Sequence, residues 1–130
     1  MADSEKINYW IELSEYDLTT AKAMLKTKRY LYVGFMCHQS IEKLLKAVFI
    51  KINMNAPPYT HSLIDLAKRT LIYEEFSAVQ KDFLDYMQPL NIQVRYPTDK
   101  EKLFKTLNYK NCVEIIKETN RLSKWIKKKL

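Results

Sequence analysis

A single glycine in 130 residues, Gly34, is the feature that most constrains how this chain can fold. Tight β-hairpin turns need residues with positive φ, which glycine adopts most readily, so a fold of many short strands would need more glycine than this. Because 47% of the residues are hydrophobic, the chain has enough apolar surface for a packed core and does not resemble a disordered or collagen-like sequence. The length suits one domain, residues 1–130, and the composition favours helices.

Apolar residues recur every three or four positions along most of the chain, which is the pattern of amphipathic helices. It predicts three long helices, over about residues 4–28, 29–52 and 106–129, and two short ones, from Thr60 and over 77–87. The loops between them are short, so neighbouring helices are expected to pack antiparallel. The sequence therefore predicts an all-α, up-and-down bundle of four to five helices, three long and two short.

Capping residues and prolines indicate where these helices begin and end. Pro89 is expected to stop the fourth helix, because proline lacks the N–H that a helix interior requires. Residues 91–97 are then expected to form an irregular connection. In the fourth helix Val79, Phe83 and Met87 are predicted to point inward. The expected N-terminal caps are Asp3 or Ser4, Thr60, and Thr98 in a capping box with Glu101.

The second predicted helix has an apolar arc that is expected to face the core. Gly34 lies within this arc, and because glycine disfavours helix by about 1 kcal/mol relative to alanine, we expect another helix to come close there. The residues of the predicted core stripe are Tyr30, Val33, Gly34, Cys37, Ile41, Leu44, Leu45, Val48 and Ile52.

The opposite face of this helix carries a polar patch formed by Gln39, Glu42, Lys43 and Lys46. Apolar residues flank the patch at both ends, which is unusual for a surface helix. We therefore expect the patch to be buried against a partner or to line a cleft. The alternative is an ordinary surface salt bridge between Glu42 and Lys46, worth a few tenths of a kcal/mol. The flanking residues are Phe35, Met36, Phe49 and Ile50.

The net charge of +7 is confined to the last quarter of the chain. Residues 1–99 hold 12 basic and 12 acidic side chains, whereas residues 100–130 hold 10 basic and 3 acidic ones. One interpretation is a region that binds nucleic acid. The other is a solvated helix face whose terminal lysines offset the helix dipole. If an anion binds nearby, we expect Lys100, Lys102 and Lys105 to steer it.

The cysteines and histidines favour no redox or metal chemistry. Cys37 and Cys112 lie in apolar surroundings and are expected to be reduced core thiols, and no metal-ligand spacing occurs around His38 or His61. We expect no metal and no cofactor. The sequence starts without a signal peptide and contains no membrane-spanning run, so a cytoplasmic location is expected.

A small set of polar residues remains as the candidate ligand site. Cations beside an aromatic ring suit an anionic, base-bearing ligand such as a nucleotide or RNA. The alternative is that each residue has a structural hydrogen bond, with His61 near a helix start and Arg95 tying a loop to the second helix. The candidates are Gln39, Glu42, Lys43, Lys46, His61, Arg95 and Tyr96.

An ordered set of short motifs along nearly the whole chain supports a family assignment. In the first helix these are Trp10, residues 16–18 (YDL) and Ala21. The others are Tyr30, Phe35, residues 38–47 (HQSIEKLLKA), 59–63 (YTHSL) and 95–97 (RYP). With these motifs the chain resembles the HEPN domain family.

The resemblance implies a bundle of four to five helices that usually dimerises and acts beside a minimal nucleotidyltransferase, often as half of a toxin–antitoxin pair. Many relatives are metal-independent ribonucleases whose active site is an Arg followed, after four to six residues, by a His. Here Arg95 matches the Arg, but the expected His positions hold Lys100, Glu101 and Lys102. Because RNA cleavage needs a group that titrates near neutrality, this departure favours a branch without nuclease activity.

Three functions remain as hypotheses. The favoured one is a binding and assembly module, not an enzyme, that forms a homodimer, pairs with a nucleotidyltransferase and binds a nucleotide or RNA. The second is an endoribonuclease of the same fold that uses Arg95 with His61 or a lysine. The third is a dimerisation partner with a purely structural role.

Overall fold

The computed structural model describes residues 3–130 and contains only helices and loops in that range. Three helices are long, with 24, 24 and 19 residues, and the others are short. The predicted all-α bundle with three long helices is confirmed, but residues 3–130 contain four short α-helices where two were predicted. The helices are α1 (Asp3–Lys26), α2 (Tyr30–Asn53), α3 (Leu63–Arg69), α4 (Ala78–Met87), α5 (Leu90–Arg95), α6 (Lys100–Thr106) and α7 (Tyr109–Lys127), with a 3-10 turn at Tyr73–Glu75.

The region after Pro89 is more helical than the sequence predicts. Pro89 is the residue from which α5 begins, a position where its missing N–H breaks no helical hydrogen bond. The irregular connection expected over residues 91–97 was therefore wrong. Asp99, not Thr98, caps α6, because its carboxylate accepts a hydrogen bond from the Lys102 backbone N–H at 3.0 Å.

Other helix starts also differ from the predicted ones by a few residues. Asp3 and Ser4 lie inside α1, and the residue before Asp3 is outside the described range. Ser62, not Thr60, caps α3 by accepting from the Asp65 N–H at 3.1 Å. Asn108 caps α7, so that helix starts three residues later than expected.

The core lies between the α1–α2 hairpin and α7, with α3 to α6 packed around it. A Cβ atom added to Gly34 would lie 3.2 Å from Leu90 Cδ1 and 3.3 Å from Leu107 Cδ2. The expected close approach at Gly34 is therefore confirmed. It lets α5 and the end of α6 pack directly onto α2, which places Arg95 beside Phe35.

Three of the predicted inward positions were wrong. Tyr109, predicted as the first residue of the apolar stripe of the last helix, is 59% exposed at the start of α7. Val79 is 68% exposed, because the buried face of α4 is centred on Leu84 and Met87 and Val79 lies about 140° around the helix from Leu84. Ile52, in the last turn of α2, is also exposed because the helix extends beyond the core there. No helix within residues 3–130 combines the length and the apolarity needed to cross a membrane.

Candidate functional site

A seam of polar contacts joins α1 to α2. The hydroxyl of Ser14 donates to the carbonyl of Ser40 at 2.7 Å, and the hydroxyl of Ser40 donates to the carbonyl of Ser14 at 2.8 Å. Both side chains are buried, so each hydroxyl satisfies a group that water does not reach. Small residues at this position also let the two helices approach closely.

Longer side chains continue the seam on either side of the serine pair. Lys43 of α2 donates to the buried carboxylate of Asp17 on α1. The ammonium group of Lys46 lies 5.5 Å from the centre of the Trp10 ring, which is cation–π distance. The polar patch of α2 is thus covered by the chain's own first helix.

Glu42 is the centre of this polar cluster. Its Oε2 accepts from Lys46 Nζ at 3.1 Å, and its Oε1 accepts from His61 Nδ1 at 2.9 Å. Glu42 is only 3% exposed and Lys46 only 8%. The alternative of a surface salt bridge was therefore wrong: this is a buried ion pair, in which each charge depends on the other for stabilisation.

The loop between α2 and α3 delivers His61 to Glu42. Its end is held in place by Gln88, whose Oε1 accepts from the Leu63 N–H at 2.8 Å and whose Nε2 donates to Ser62 Oγ at 3.0 Å. The His61 side chain is 55% exposed while its Nδ1 is bound to Glu42. One edge of the imidazole is therefore fixed and the other faces solvent.

His38 is the site residue that the sequence reasoning missed. It is fully buried, neither ring nitrogen has a hydrogen-bond partner within residues 3–130, and Nδ1 lies 3.9 Å from Glu42 Oε1. Burial lowers the pKa of His38 to about 4, and the charges of His61 and Arg95 lower it further, whereas the charge of Glu42 and the nearby backbone of His61 oppose the shift. His38 is thus neutral at pH 7. The available signal was its position one turn before Glu42, which puts both on one helix face.

Arg95 and Tyr96 lie at the end of α5. Arg95 Nε donates to the carbonyl of Asn91 at 3.0 Å, and the guanidinium carbon lies 5.8 Å from the Phe35 ring centre and 5.7 Å from that of Tyr96. Within residues 3–130 its terminal Nη groups have no hydrogen-bond partner. The guanidinium is therefore oriented by its Nε hydrogen bond and by two aromatic rings, and its two Nη groups are available to a ligand.

The structure divides the predicted site residues into groups. Glu42, Lys46 and His61 meet at one carboxylate. Arg95 is close enough for its charge to act on His38, the neighbour of that carboxylate. Lys43 is engaged by Asp17, and Gln39 is half-buried. Over residues 3–130, no three His, Cys, Asp or Glu side chains are grouped so as to hold a metal ion.

This arrangement leaves three side chains for a ligand to contact. Inside, Glu42 and Lys46 compensate each other. At the surface, the exposed edge of His61 and the guanidinium fork of Arg95 are polar groups that an anion can bind, and Tyr96 supplies a ring that is 70% exposed. The site therefore suits a ligand that carries negative charge and a flat group that can stack.

Comparison with known protein families gives a match over residues 7–130 to the HEPN domain. The chain belongs to the HEPN domain family. The match includes every residue of the Glu42 cluster and the Arg95 segment. Among curated proteins no significant match was found.

A solved structure shares the fold of this HEPN chain. The crystal structure of TT1696 from Thermus thermophilus superposes with a TM-score of 0.82 at 17% sequence identity, and covers 96% of this chain and 98% of that one. Because the identity is so low, this similarity concerns the fold alone.

Proposed function

We propose that this HEPN chain is a binding and assembly module that recognises a nucleotide or RNA through Arg95, Tyr96 and His61. Family membership supports the assembly part, because the resemblance implies dimers that act beside a minimal nucleotidyltransferase. The observation that carries the binding part is the state of Arg95. Its Nε is used by Asn91, two aromatic rings lie beside its plane, and its fork has no partner within residues 3–130.

A pre-oriented guanidinium is well suited to a phosphate group, which it can bind through two parallel hydrogen bonds. Tyr96 adds an exposed ring on which a base can stack. A cavity of about 260 Å³ between α5 and α6 is lined by Gln93 and Pro97, which lie close in sequence to Arg95 and Tyr96, and by Lys102. The exposed lysines of α6 add positive charge next to the site, which favours an anionic ligand.

Titration calorimetry with ATP tests the binding part. We expect Arg95→Ala to weaken ATP binding by about tenfold or more, since a charged hydrogen-bonding pair is lost. Arg95→Lys should recover only part of the affinity, because lysine keeps the charge but lacks the fork. Arg69→Ala removes the same charge from α3, where Arg69 pairs with Asp65 at 3.0 Å, and is the matched control. Equal affinity of the Arg95→Ala variant and the unmodified protein would remove Arg95 from the site.

Light scattering tests the assembly part. We expect the mass of a homodimer at micromolar concentration, and a larger complex after addition of a minimal nucleotidyltransferase encoded beside this chain. A strict monomer at that concentration would contradict the dimer. Neither the mass of the dimer nor that of the larger complex depends on ATP binding. The assembly part and the binding part of the proposal can therefore be tested separately.

A ribonuclease is the second candidate, and the contact between Glu42 and His61 favours it. A carboxylate that holds one nitrogen of an imidazole orients the ring and lets the other nitrogen exchange a proton with a substrate. His61 would accept the proton of an RNA 2′-hydroxyl as its oxygen bonds to the adjacent phosphorus, and Arg95 would bind the phosphate. The bond from phosphorus to the 5′-oxygen breaks, and the 5′-oxygen takes a proton from water. This predicts cleavage of RNA in EDTA with a 2′,3′-cyclic phosphate product, lost in His61→Ala. Intact RNA at high protein concentration would exclude it.

A further inference from the structure

A groove between α4 and α7 lies apart from the site described above. It encloses a cavity of about 490 Å³, with apolar side chains contributed by both helices. Val79 on α4 is 68% exposed and faces this space. An apolar groove rimmed by polar residues is typical of a surface that binds a partner, and a partner seated here would cover Val79. The apolar lining consists of Val79, Phe83, Leu122 and Trp125.

The rim of the groove is basic. Arg121, Lys124 and Lys128 line it, and Glu118 is its single acidic residue, paired with Arg121. The lysines at the end of α7 divide into two kinds. Lys127 donates to Glu15 at 2.8 Å and Lys129 to Glu75 at 2.6 Å, so both tie α7 to its neighbours. Lys124 and Lys128 have no carboxylate partner within residues 3–130 and flank the groove.

The shape of the groove constrains its occupant. On α7 the lining residues run from Glu118 to Lys128, about three helical turns or roughly 15 Å. Both walls are helices whose backbone groups are already hydrogen-bonded internally, so they offer little to an extended chain. A segment entering an apolar groove of this kind must satisfy its own backbone, which a helix does.

The two aromatic rings of the groove, Phe83 and Trp125, are partly buried against the core, which limits base stacking. The Trp125 ring packs edge-on against Phe76, with 5.1 Å between ring centres, and Lys129 Nζ lies 4.9 Å from the centre of the Trp125 ring. The remaining apolar residues of the lining, Val79 and Leu122, are aliphatic. Nucleic acid, which binds such basic surfaces by stacking bases on open rings, is therefore a poor match to this groove.

We propose that the groove between α4 and α7 binds an acidic amphipathic helix of a partner protein. The apolar face of that helix packs on Val79 and Phe83, above the buried Leu122, and its carboxylates contact Lys124 and Lys128. This assigns a role to the part of the C-terminal charge that the fold does not use. It does not depend on ligand binding at Arg95.

A fluorescein-labelled peptide of twelve residues tests the proposal by fluorescence anisotropy. The peptide carries leucine at positions i, i+3, i+4 and i+7 and glutamate elsewhere, and is held helical by a hydrocarbon staple. We expect saturable binding that the double variant Lys124→Glu, Lys128→Glu weakens by about tenfold or more, because two attractive contacts become repulsive. Val79→Asp should have a similar effect. All three positions are exposed, so circular dichroism should show an unchanged fold.

The matched control is Lys100→Glu with Lys102→Glu, which makes the same charge change on α6. We expect less than a twofold effect on peptide binding from this variant. A peptide with serine in place of leucine should not bind. ATP titration of the groove variants separates this proposal from the one above, because we expect it to be unchanged.

Five results would overturn the proposal, and four of them come from the peptide experiments. These are absence of peptide binding, equal weakening by the groove and α6 variants, equal binding of the serine peptide, and displacement of the peptide by a single-stranded RNA octamer. Absence of peptide binding excludes an acidic helix as the occupant. Equal weakening by both variants, or equal binding of the serine peptide, shows only unspecific charge attraction. Displacement by RNA assigns the groove to nucleic acid. A change in light-scattering mass caused by the groove variants would assign it to a second copy of the chain.

Discussion

The Glu42 cluster and the groove between α4 and α7 reverse the usual distribution of polar and apolar groups. In the cluster, Glu42 and Lys46 are charged and buried. In the groove, Val79 is apolar and exposed. The first arrangement is stable only because each charge has a specific partner. The second persists because a single exposed valine costs little. Interior polar groups thus demand exact contacts, whereas a surface groove leaves its residues free for a partner.

The largest expected effect comes from breaking the cluster at its centre. Glu42→Ala leaves the ammonium group of Lys46 buried without its carboxylate, and we expect a loss of about 3–5 kcal/mol in the free energy of unfolding. Urea denaturation measures this. Glu12→Ala, at an exposed position of α1, is the control and should change stability by less than about 0.5 kcal/mol.

A double variant sharpens the same comparison. Glu42→Leu with Lys46→Met removes both charges at similar volume, and should recover most of the stability that Glu42→Ala loses. A loss below about 1 kcal/mol for Glu42→Ala alone would show that Lys46 reaches water, and the cluster would then resemble an ordinary surface pair.

The pH dependence of stability tests the neutral state of His38. Burial lowers the pKa of His38 to about 4, whereas in the unfolded chain it is near 6.5. Between these values the unfolded chain binds a proton that the native protein does not, so stability falls as the pH decreases from 6.5 to 4. We expect this to account for about 3 kcal/mol.

Urea denaturation from pH 7.5 to pH 4 measures that loss, and His38→Leu is the reference because it removes the titrating group. The carboxylates contribute to both proteins, so the difference between their pH profiles belongs to His38. Parallel profiles would contradict a buried, neutral His38.

The smallest expected effect is the change in the free energy of unfolding when Val79 is replaced. Val79→Ser should change the free energy of unfolding by less than about 0.5 kcal/mol, because the side chain is exposed. Leu84→Ala, on the same helix but fully buried, should cost about 2–5 kcal/mol. Thermal or urea unfolding compares the two. A cost above about 1 kcal/mol for Val79→Ser would mean that the groove residue supports the fold and is not reserved for a partner.

Much of the fold could be predicted from periodicity, because the three long helices have regular apolar stripes. The stripe of α7 over Cys112, Ile115 and Leu122 is buried as expected. The short helices were harder, since α5 and α6 have six and seven residues and their starts depend on Pro89 and Asp99. In such short segments a single capping contact decides where the helix begins.

The candidate site was predictable in part. The sequence placed Glu42 and Lys46 on one helix face, because four-residue spacing alone determines that. It identified His61 and Arg95 as candidates, but their positions relative to α2 depend on the loop after Pro58 and on the packing of α5 beside Gly34. His38 was missed because its significance lies in full burial without a partner. That these residues bind a ligand stays a prediction.

By itself the sequence determined the helical class, the long helices, the polar patch on α2 and the concentration of charge in residues 100–130. These follow from local periodicity and composition, which do not depend on distant contacts. Only the tertiary structure decided that α1 covers the patch, that His61 meets Glu42, and that Lys124 and Lys128 flank an apolar groove. Those facts depend on which helices pack together, because pairing and burial are properties of residues far apart in the chain.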